Sequence, residues 1–193
     1  MQRRYFVFSA IAAAVSAAYA GCSTTSGSGS SAATDLSKRQ AIDASVDGTM
    51  SRLYTSINGS RELVSKAQGV LVFPSVLQAG FVVGGQYGEG ALRVGGSTVG
   101  YYSTASGSFG LTAGAQSKAI VFLFMTSDAL GQFRSSKGWT VAGDASVALV
   151  KIGANGKIDT TTALAPVEVI VMTNSGLMAD LSLAGTKVTP LDI

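Results

Sequence analysis

The sequence predicts an α+β fold: a curved, mainly antiparallel β-sheet covered by N-terminal amphipathic helices and by one short internal helix. Charged residues make up only 13% of the chain, whereas glycine occurs 24 times, which is typical of a glycine-punctuated β-rich domain. Apolar residues near the N-terminus recur with helical spacing. From Gly69 onward, short β-type runs follow one another with links of hairpin length.

The first helix is predicted to start near Asp35 or Ser37, either of which is a candidate N-cap, and to stop at the Asn58–Ser60 turn signal. Its apolar residues recur every three or four positions and fall on one face. They are Ile42, Val46, Met50, Leu53 and Ile57. Contact with a membrane or a partner is one interpretation of this face, but the spacing favours a helix that covers a sheet. A second short helix is expected at about 61–66.

The remaining elements follow from runs of β-branched and aromatic residues. Strands are predicted at "GVLVF", "AGFVVGG", "TVGYYST", "SFGLTAG", "KAIVFLFMT", "VEVIVMT" and "TKVTPL", and strand character also in "WTVAGDASVALVKIG". A short helix interrupts them at "SDALGQFR", with Ser127 as its candidate N-cap. Asn155–Gly156 is a turn signal. The short links favour antiparallel pairing over βαβ crossovers.

Six glycines lie between Val82 and Gly96. Two details of the sequence argue against a phosphate-binding loop. Arg93 stands where the third glycine of a nucleotide-binding glycine motif is needed, and no Gly-Lys-Ser/Thr sequence occurs in the chain. Glycine within strands marks bulges, bends or close backbone approach. The glycines therefore indicate a strongly curved sheet, with barrel-like closure as an alternative.

Residues 1–21 have the three parts of a cleavable export signal. Arg3 and Arg4 form a positive segment, an apolar stretch follows, and Ala20–Gly21 is a small-residue cleavage site. The apolar run from Tyr5 to Ala20 is shorter than the roughly 18 residues expected of a membrane span. Because "RRYF" resembles a twin-arginine motif, that export route and ordinary secretion both remain open.

Cys22 is the only cysteine of the chain and directly follows the predicted cleavage site. "AYAGC" resembles the lipobox of bacterial lipoproteins, which implies that Cys22 becomes an acylated N-terminus carrying palmitate-type chains. Ser23 is not the aspartate of inner-membrane retention. The resemblance thus implies an outer-membrane lipoprotein facing the periplasm, with cell-surface exposure as an alternative. Residues 22–34 then comprise the lipidated cysteine and a flexible Ser/Gly tether.

Candidate chemistry is sparse. The chain has no histidine, which excludes Ser-His-Asp triads, Cys-His dyads and histidine metal sites. The carboxylates show no metal-ligand spacing, and no cofactor or metal is expected. From Cys22 onward, 12 basic and 11 acidic residues remain once Arg3 and Arg4 are removed. A nearly neutral chain argues against nucleic acid as a partner. We therefore expect a protein that is not an enzyme.

The segment "AQGVLVFPSVLQAGFVVGGQYGEGALRV" resembles the SYLF-domain family, specifically its bacterial lipoprotein branch. The resemblance continues through "GYYSTASGSFGLTAGAQSKAIVFLFMTSDALGQFR", "GWTVAGDASVAL" and "NSGLMADLSLAGTKVTPL". It covers about residues 36–191. Residues 35–193 are therefore expected to form a single SYLF-like domain.

The resemblance implies lipid binding. Eukaryotic members of the family bind phosphoinositides, partly through a basic amphipathic segment at the N-terminus of the domain, and some fungal members bind actin. The corresponding headgroup candidates in this chain are Lys38, Arg39, Arg52, Arg61 and Lys66. The function expected is a membrane-anchored, non-catalytic lipoprotein whose domain binds phospholipid. An envelope scaffold that binds a protein partner is the alternative.

Overall fold

The computed structural model describes residues 28–80, 83–109, 114–141, 143–144, 146–150, 158, 165–173, 176–177, 183 and 185–193. From Thr34 onward the chain forms one compact unit. The predicted export signal, Cys22, the first part of the predicted tether and the Asn155–Gly156 turn signal lie outside the described residues.

Three helices and nine strands occur in the described part of the chain. The helices are α1 (Ser28–Ser56), α2 (Ser60–Lys66) and α3 (Ser127–Ser135). The strands are β1 (Gly69–Gly80), β2 (Val83–Val94), β3 (Ser97–Phe109), β4 (Gly114–Phe124), β5 (Trp139–Thr140), β6 (Val147–Leu149), β7 (Val167–Thr173), β8 (Gly176–Leu177) and β9 (Lys187–Pro190).

The strands form one sheet in the order β5-β9-β3-β2-β1-β4-β7-β6, with β8 paired to β7. The sheet is curled into a half-barrel, and its described path has two open ends. All pairs are antiparallel except β6 with β7. Residues 150–166, which connect that pair, are long enough for the crossover that parallel pairing needs. The predicted α+β class and the curved, mainly antiparallel sheet are confirmed.

Alternation along the strands gives the sheet two apolar faces. Face A, which carries α1 and α2, is formed by residues such as Val72, Val121 and Ile170. Face B, which carries α3, is formed by their chain neighbours, such as Phe73 and Phe122. Because both faces of the central strands are buried, these strands read as continuous apolar runs rather than as alternating ones.

The predicted apolar face of α1 packs on face A. Ile42, Val46, Leu53 and Ile57 are buried there, and Met50 is half-buried. The helix begins at Ser28, earlier than the Asp35 or Ser37 start that capping signals predict. Ala32 and Ala33 are strong helix formers, so the helix can extend past those candidate caps. No helix in the described ranges is long and apolar enough to cross a membrane.

The N-cap of α3 differs from the prediction by one residue. The Thr126 side chain accepts a hydrogen bond from the backbone N–H of Ala129, whereas Ser127 is already the first helical residue. Both residue types are good caps. Backbone geometry decides between them, because Thr126 is extended and its hydroxyl can therefore face the first turn.

Pro74 interrupts the central strand β1 without ending it. Both neighbouring ladders shift register beside it, between Val72 and Ser75 on one side and between Phe73 and Val76 on the other. Proline inside a sheet is confined to such bulges, because it cannot donate to a ladder. Pairing resumes after the bulge, and β1 therefore continues to Gly80, beyond the end of the "GVLVF" run.

Candidate functional site

The exposed end of face A lies beyond the part covered by helices. The register joins Ser117, Leu77, Tyr87, Ala105 and Lys187 into one row across β4, β1, β2, β3 and β9. At about 4.8 Å between strands, the row is about 19 Å wide. All five residues are exposed.

The apolar members of this row are unusually open to solvent. Leu77 is 61% exposed and Tyr87 is 50% exposed, and the next row toward the strand ends adds Ala79, Gly85 and Gly107, also exposed. We call these eight residues the sheet-end patch. A clustered apolar surface on a folded domain marks a contact site for a membrane or another protein.

Helix α1 meets the sheet beside this patch through Lys38. Its ammonium donates a hydrogen bond to Glu89 Oε1 at 2.9 Å, and the Tyr87 hydroxyl donates to the same oxygen at 2.8 Å. Burial by itself raises the pKa of Glu89, but the two hydrogen bonds outweigh it and the net pKa lies below the usual value. Bonding to Glu89 in turn raises the pKa of Tyr87. The carboxylate is thus charged and neutralised by its neighbour.

One turn further along α1, Asp43 fixes the helix to β3. It accepts hydrogen bonds from Thr98 Oγ1 and from the Tyr101 hydroxyl, both at 2.8 Å. The Arg39 guanidinium lies 5.9 Å from the centre of the Tyr101 ring, within cation–π range. These contacts hold the N-terminal part of α1, and with it Lys38 and Arg39, near the sheet-end patch.

The other predicted headgroup residues lie away from that end. Arg61 sits 4.3 Å above the Tyr54 ring, and Lys66 forms an i,i+4 ion pair with Glu62 at 2.8 Å. Arg52 is exposed on α1, and its guanidinium has no hydrogen-bond or ion-pair partner among the residues that the structure describes. The five cations therefore form two separate groups rather than one basic face.

A cleft of about 570 Å³ lies near this second group, between α1, α2 and the adjoining ends of β1 and β2. Its walls include Met50, Tyr54, Val64 and Val70, and Arg93 enters from the sheet. Arg93 forms an ion pair with Asp47 of α1. Sequence reasoning treated Arg93 only as a departure from a glycine motif, because nothing local indicates that it faces a helix distant in the chain.

Comparison with known proteins bears on the C-terminal part of the chain. A family model described as "Ysc84: Las17-binding protein actin regulator" matches residues 105–192, from within β3 to just past β9. A search of curated proteins found no match. The match agrees with the family expected from the sequence, although it leaves the helical segment and the first two strands outside its range.

Proposed function

We propose that the chain is a lipid-anchored, non-catalytic envelope protein whose domain binds phospholipid; the match of residues 105–192 to the SYLF (Ysc84) family model is the premise of this proposal. Binding of lipids or actin-related partners is the function that the family suggests. In this proposal Cys22 carries the acyl chains, the protein resides in the outer membrane facing the periplasm, and the sheet-end patch contacts the bilayer.

The row from Ser117 to Lys187 is the observation that carries this proposal. It combines an exposed leucine, an exposed tyrosine and a flanking lysine. Tyrosine is enriched where proteins meet the membrane–water interface, and a lysine near an anionic surface contributes about 1 kcal/mol. Glu89, the nearest acid on this face in the described ladders, is already paired with Lys38.

The connectivity of the chain supports the same orientation. The anchored segment joins the compact unit at Thr34, and Lys38 in the next turn of α1 lies at Glu89, beside the patch. The end of the sheet nearest the attachment point is thus the end with exposed apolar residues. In this proposal the tether is the short segment between Cys22 and the start of α1 at Ser28. A short tether provides an effective lipid concentration in the millimolar range, so a weak intrinsic affinity is sufficient.

The test is flotation with vesicles of phosphatidylglycerol and phosphatidylethanolamine. The protein is residues 22–193 carrying Cys22→Ala, which cannot be acylated and keeps the compact unit that starts at Thr34. Leu77→Ser removes a side chain whose full burial contributes roughly 1.5–3 kcal/mol. We expect it to lower the bound fraction about tenfold.

The matched control is Val99→Ser. Val99 is 46% exposed and lies near the start of β3, at the opposite end of the strands, so its substitution should leave flotation unchanged. A parent chain that fails to float, or equal losses for Val99→Ser and Leu77→Ser, would contradict the proposal.

A second candidate function is a scaffold that binds a protein partner. The family description, which names a Las17-binding protein, favours it. Cross-linking in intact cell envelopes separates the two functions. A protein cross-linked specifically at the sheet-end patch, with no lipid contact there, would favour the scaffold.

A further inference from the structure

Asn58 and Gly59 connect α1 to α2, and contact of the sheet-end patch with a bilayer makes no use of them. Both residues are exposed, and Gly59 is the N-cap of α2. Asparagine is a thermolabile residue, and it is most reactive before glycine, because glycine leaves its own backbone nitrogen unshielded. The chemical fate of this pair in the folded protein therefore depends on what holds the Gly59 nitrogen.

The backbone nitrogen of Gly59 is free of such restraint. Its N–H has no acceptor among the residues that the structure describes, whereas the N–H groups of Ile57 and Ser60 donate to backbone oxygens at 3.1 and 3.2 Å. A Cβ at Gly59 would meet only Ile158, at 3.9 Å. With a φ of +87°, Gly59 adopts the left-handed conformation that glycine reaches without strain. No hydrogen bond within the described ranges has to break before this nitrogen loses its proton.

Asp47 and Gly48 form a comparable pair inside α1, since an aspartate before glycine cyclises in the same way. Both of these residues are exposed as well. The backbone N–H of Gly48, however, lies in the middle of α1, where each N–H donates to the carbonyl four residues earlier. The Asp47 carboxylate is in addition paired with Arg93. Hydrogen bonding rather than exposure thus distinguishes the two pairs.

We propose that Asn58 is a site of spontaneous deamidation in the folded protein. The deprotonated Gly59 nitrogen attacks Asn58 Cγ and forms a new C–N bond. The bond from Cγ to the side-chain nitrogen breaks, and this nitrogen leaves as ammonia, carrying the proton that Gly59 lost. The product is a cyclic succinimide. Water then opens the ring at Cγ to give aspartate, or at the main-chain carbonyl to give isoaspartate.

Isoaspartate at this position would loosen the connection between the two helices, because it adds a methylene group to the main chain. Three hydrogen bonds join atoms on opposite sides of Asn58. Ser60 N and Ser60 Oγ both donate to the Ile57 oxygen, at 3.2 and 2.7 Å, and Ser60 Oγ also lies 3.1 Å from the Leu53 oxygen. Ser60 is fully buried, so these bonds are not replaced by water. We expect the isoaspartyl form to melt about 3 °C below the parent.

Peptide mapping of the Cys22→Ala chain tests the proposal. The chain is incubated at pH 8, once folded and once unfolded in guanidinium chloride. Trypsin then places Asn58 in peptide 53–61 and Asp47 in peptide 40–52, and electron-transfer fragmentation distinguishes isoaspartate from aspartate. We expect Asn58 to react in the folded chain within about threefold of its rate in the unfolded chain, because no protecting hydrogen bond must open first.

Asp47 is the internal control for this measurement. Isoaspartate should form at Asp47 only in the unfolded sample, which shows that the native sample stayed folded. An Asn58 that remains intact in the folded chain, while the unfolded chain is fully modified, would overturn the proposal. Since the chain carries no acyl group and no vesicle is present, this outcome leaves the bilayer-contacting patch untouched.

Two matched variants link the modification to stability. Asn58→Gln has a longer side chain that closes the ring far more slowly, whereas Asn155→Gln removes the Asn-Gly sequence that lies outside the described residues. We expect the melting temperature of Asn58→Gln to stay constant during incubation and that of Asn155→Gln to fall as in the parent. Freshly purified Asn58→Asp, which gains the charge without the methylene group, should melt near the parent value. Equal losses in the two glutamine variants would overturn the inferred loosening of the connection.

Discussion

Glu168 is the residue whose chemistry conflicts most with its surroundings. It lies in β7 on face A, opposite Leu123 of β4, and is only 2% exposed. Neither carboxyl oxygen has a hydrogen-bond partner within the described ranges. Burial accordingly raises the pKa of Glu168, because an unpaired carboxylate is strongly disfavoured away from water. The pattern "VEVIVMT" predicted the strand, but it did not indicate that the Glu168 carboxyl would be buried in it.

Replacing Glu168 with glutamine should stabilise the protein increasingly as pH rises. The pKa of Glu168 is higher in the folded state than in the unfolded state. At pH values between these two pKa values, the folded state therefore binds more protons than the unfolded state does. Wild-type stability therefore falls as pH rises from about 4.5 through the folded-state value. Glu168→Gln does not titrate. We expect its gain in melting temperature to be larger at pH 8 than at pH 4.

Glu62→Gln is the control for this experiment. Lys66 lowers the pKa of Glu62 through a hydrogen bond on the exposed surface of α2. The stability that the charged Glu62 contributes is lost as pH falls. The change in melting temperature caused by Glu62→Gln should therefore vary with pH in the opposite direction to that of Glu168→Gln, and only slightly. A Glu168→Gln effect that does not vary with pH would show that the carboxyl is not buried as described.

At the level of single elements, the pairing of β1 with β2 explains two of the glycines in the Val82–Gly96 segment. A Cβ at Gly90 would lie 2.0 Å from the backbone oxygen of Val72, and a Cβ at Gly88 would lie 2.8 Å from that of Ser75. Val72 and Ser75 are the two residues between which the register of β1 with β2 shifts, at the Pro74 bulge. Gly85, nearer the strand end, meets no such obstacle.

Alanine at Gly90 and at Gly85 should therefore have very different consequences. Gly90→Ala forces two backbones apart, and we expect it to lower the free energy of unfolding by roughly 3 kcal/mol. Gly85→Ala adds a methyl group in open space and should change it by no more than about 1 kcal/mol in either direction. Urea denaturation of both variants measures the difference. Similar values for the two would refute the close approach at Gly90.

At the scale of the whole molecule, the two ends of α1 contact the sheet through different ion pairs. Lys38 joins the helix to the sheet beside the exposed patch, and Asp47 joins it to Arg93 beside the cleft. A protein anchored through the segment before Thr34 would present the first end to the bilayer and the second to the periplasm.

Acylation at Cys22 is the premise of that arrangement. Each buried methylene contributes about 0.8 kcal/mol, so several acyl chains hold a protein on a membrane firmly. We expect the protein from its native host to enter the detergent phase on phase partitioning and Cys22→Ala to remain in the aqueous phase. Ser23→Ala, which leaves the thiol in place, is the control and should partition as wild type does. Wild type in the aqueous phase would contradict anchoring.

Local patterns were sufficient to predict most of the elements. The spacing of Ile42, Val46, Leu53 and Ile57 identified the buried face of α1, because residues three or four positions apart in the sequence lie on the same face of a helix. The same holds for α3 and for β7, which coincides with "VEVIVMT". For β4 only the apolar part was predicted, because the strand begins at Gly114, before the "KAIVFLFMT" run. The N-cap was misplaced by one residue, since Thr126 and Ser127 differ only in backbone geometry.

The sequence by itself determined the fold class and the apolar face of α1, since both depend on residues close together in the chain. Only the tertiary structure decided that Leu77 and Tyr87 share an exposed row, that Arg93 meets Asp47, and that the buried Glu168 carboxyl has no hydrogen-bond partner among the described residues. These features depend on strand register and on which helix covers which part of the sheet. Shifting a strand by one residue exchanges its faces without altering a single local pattern.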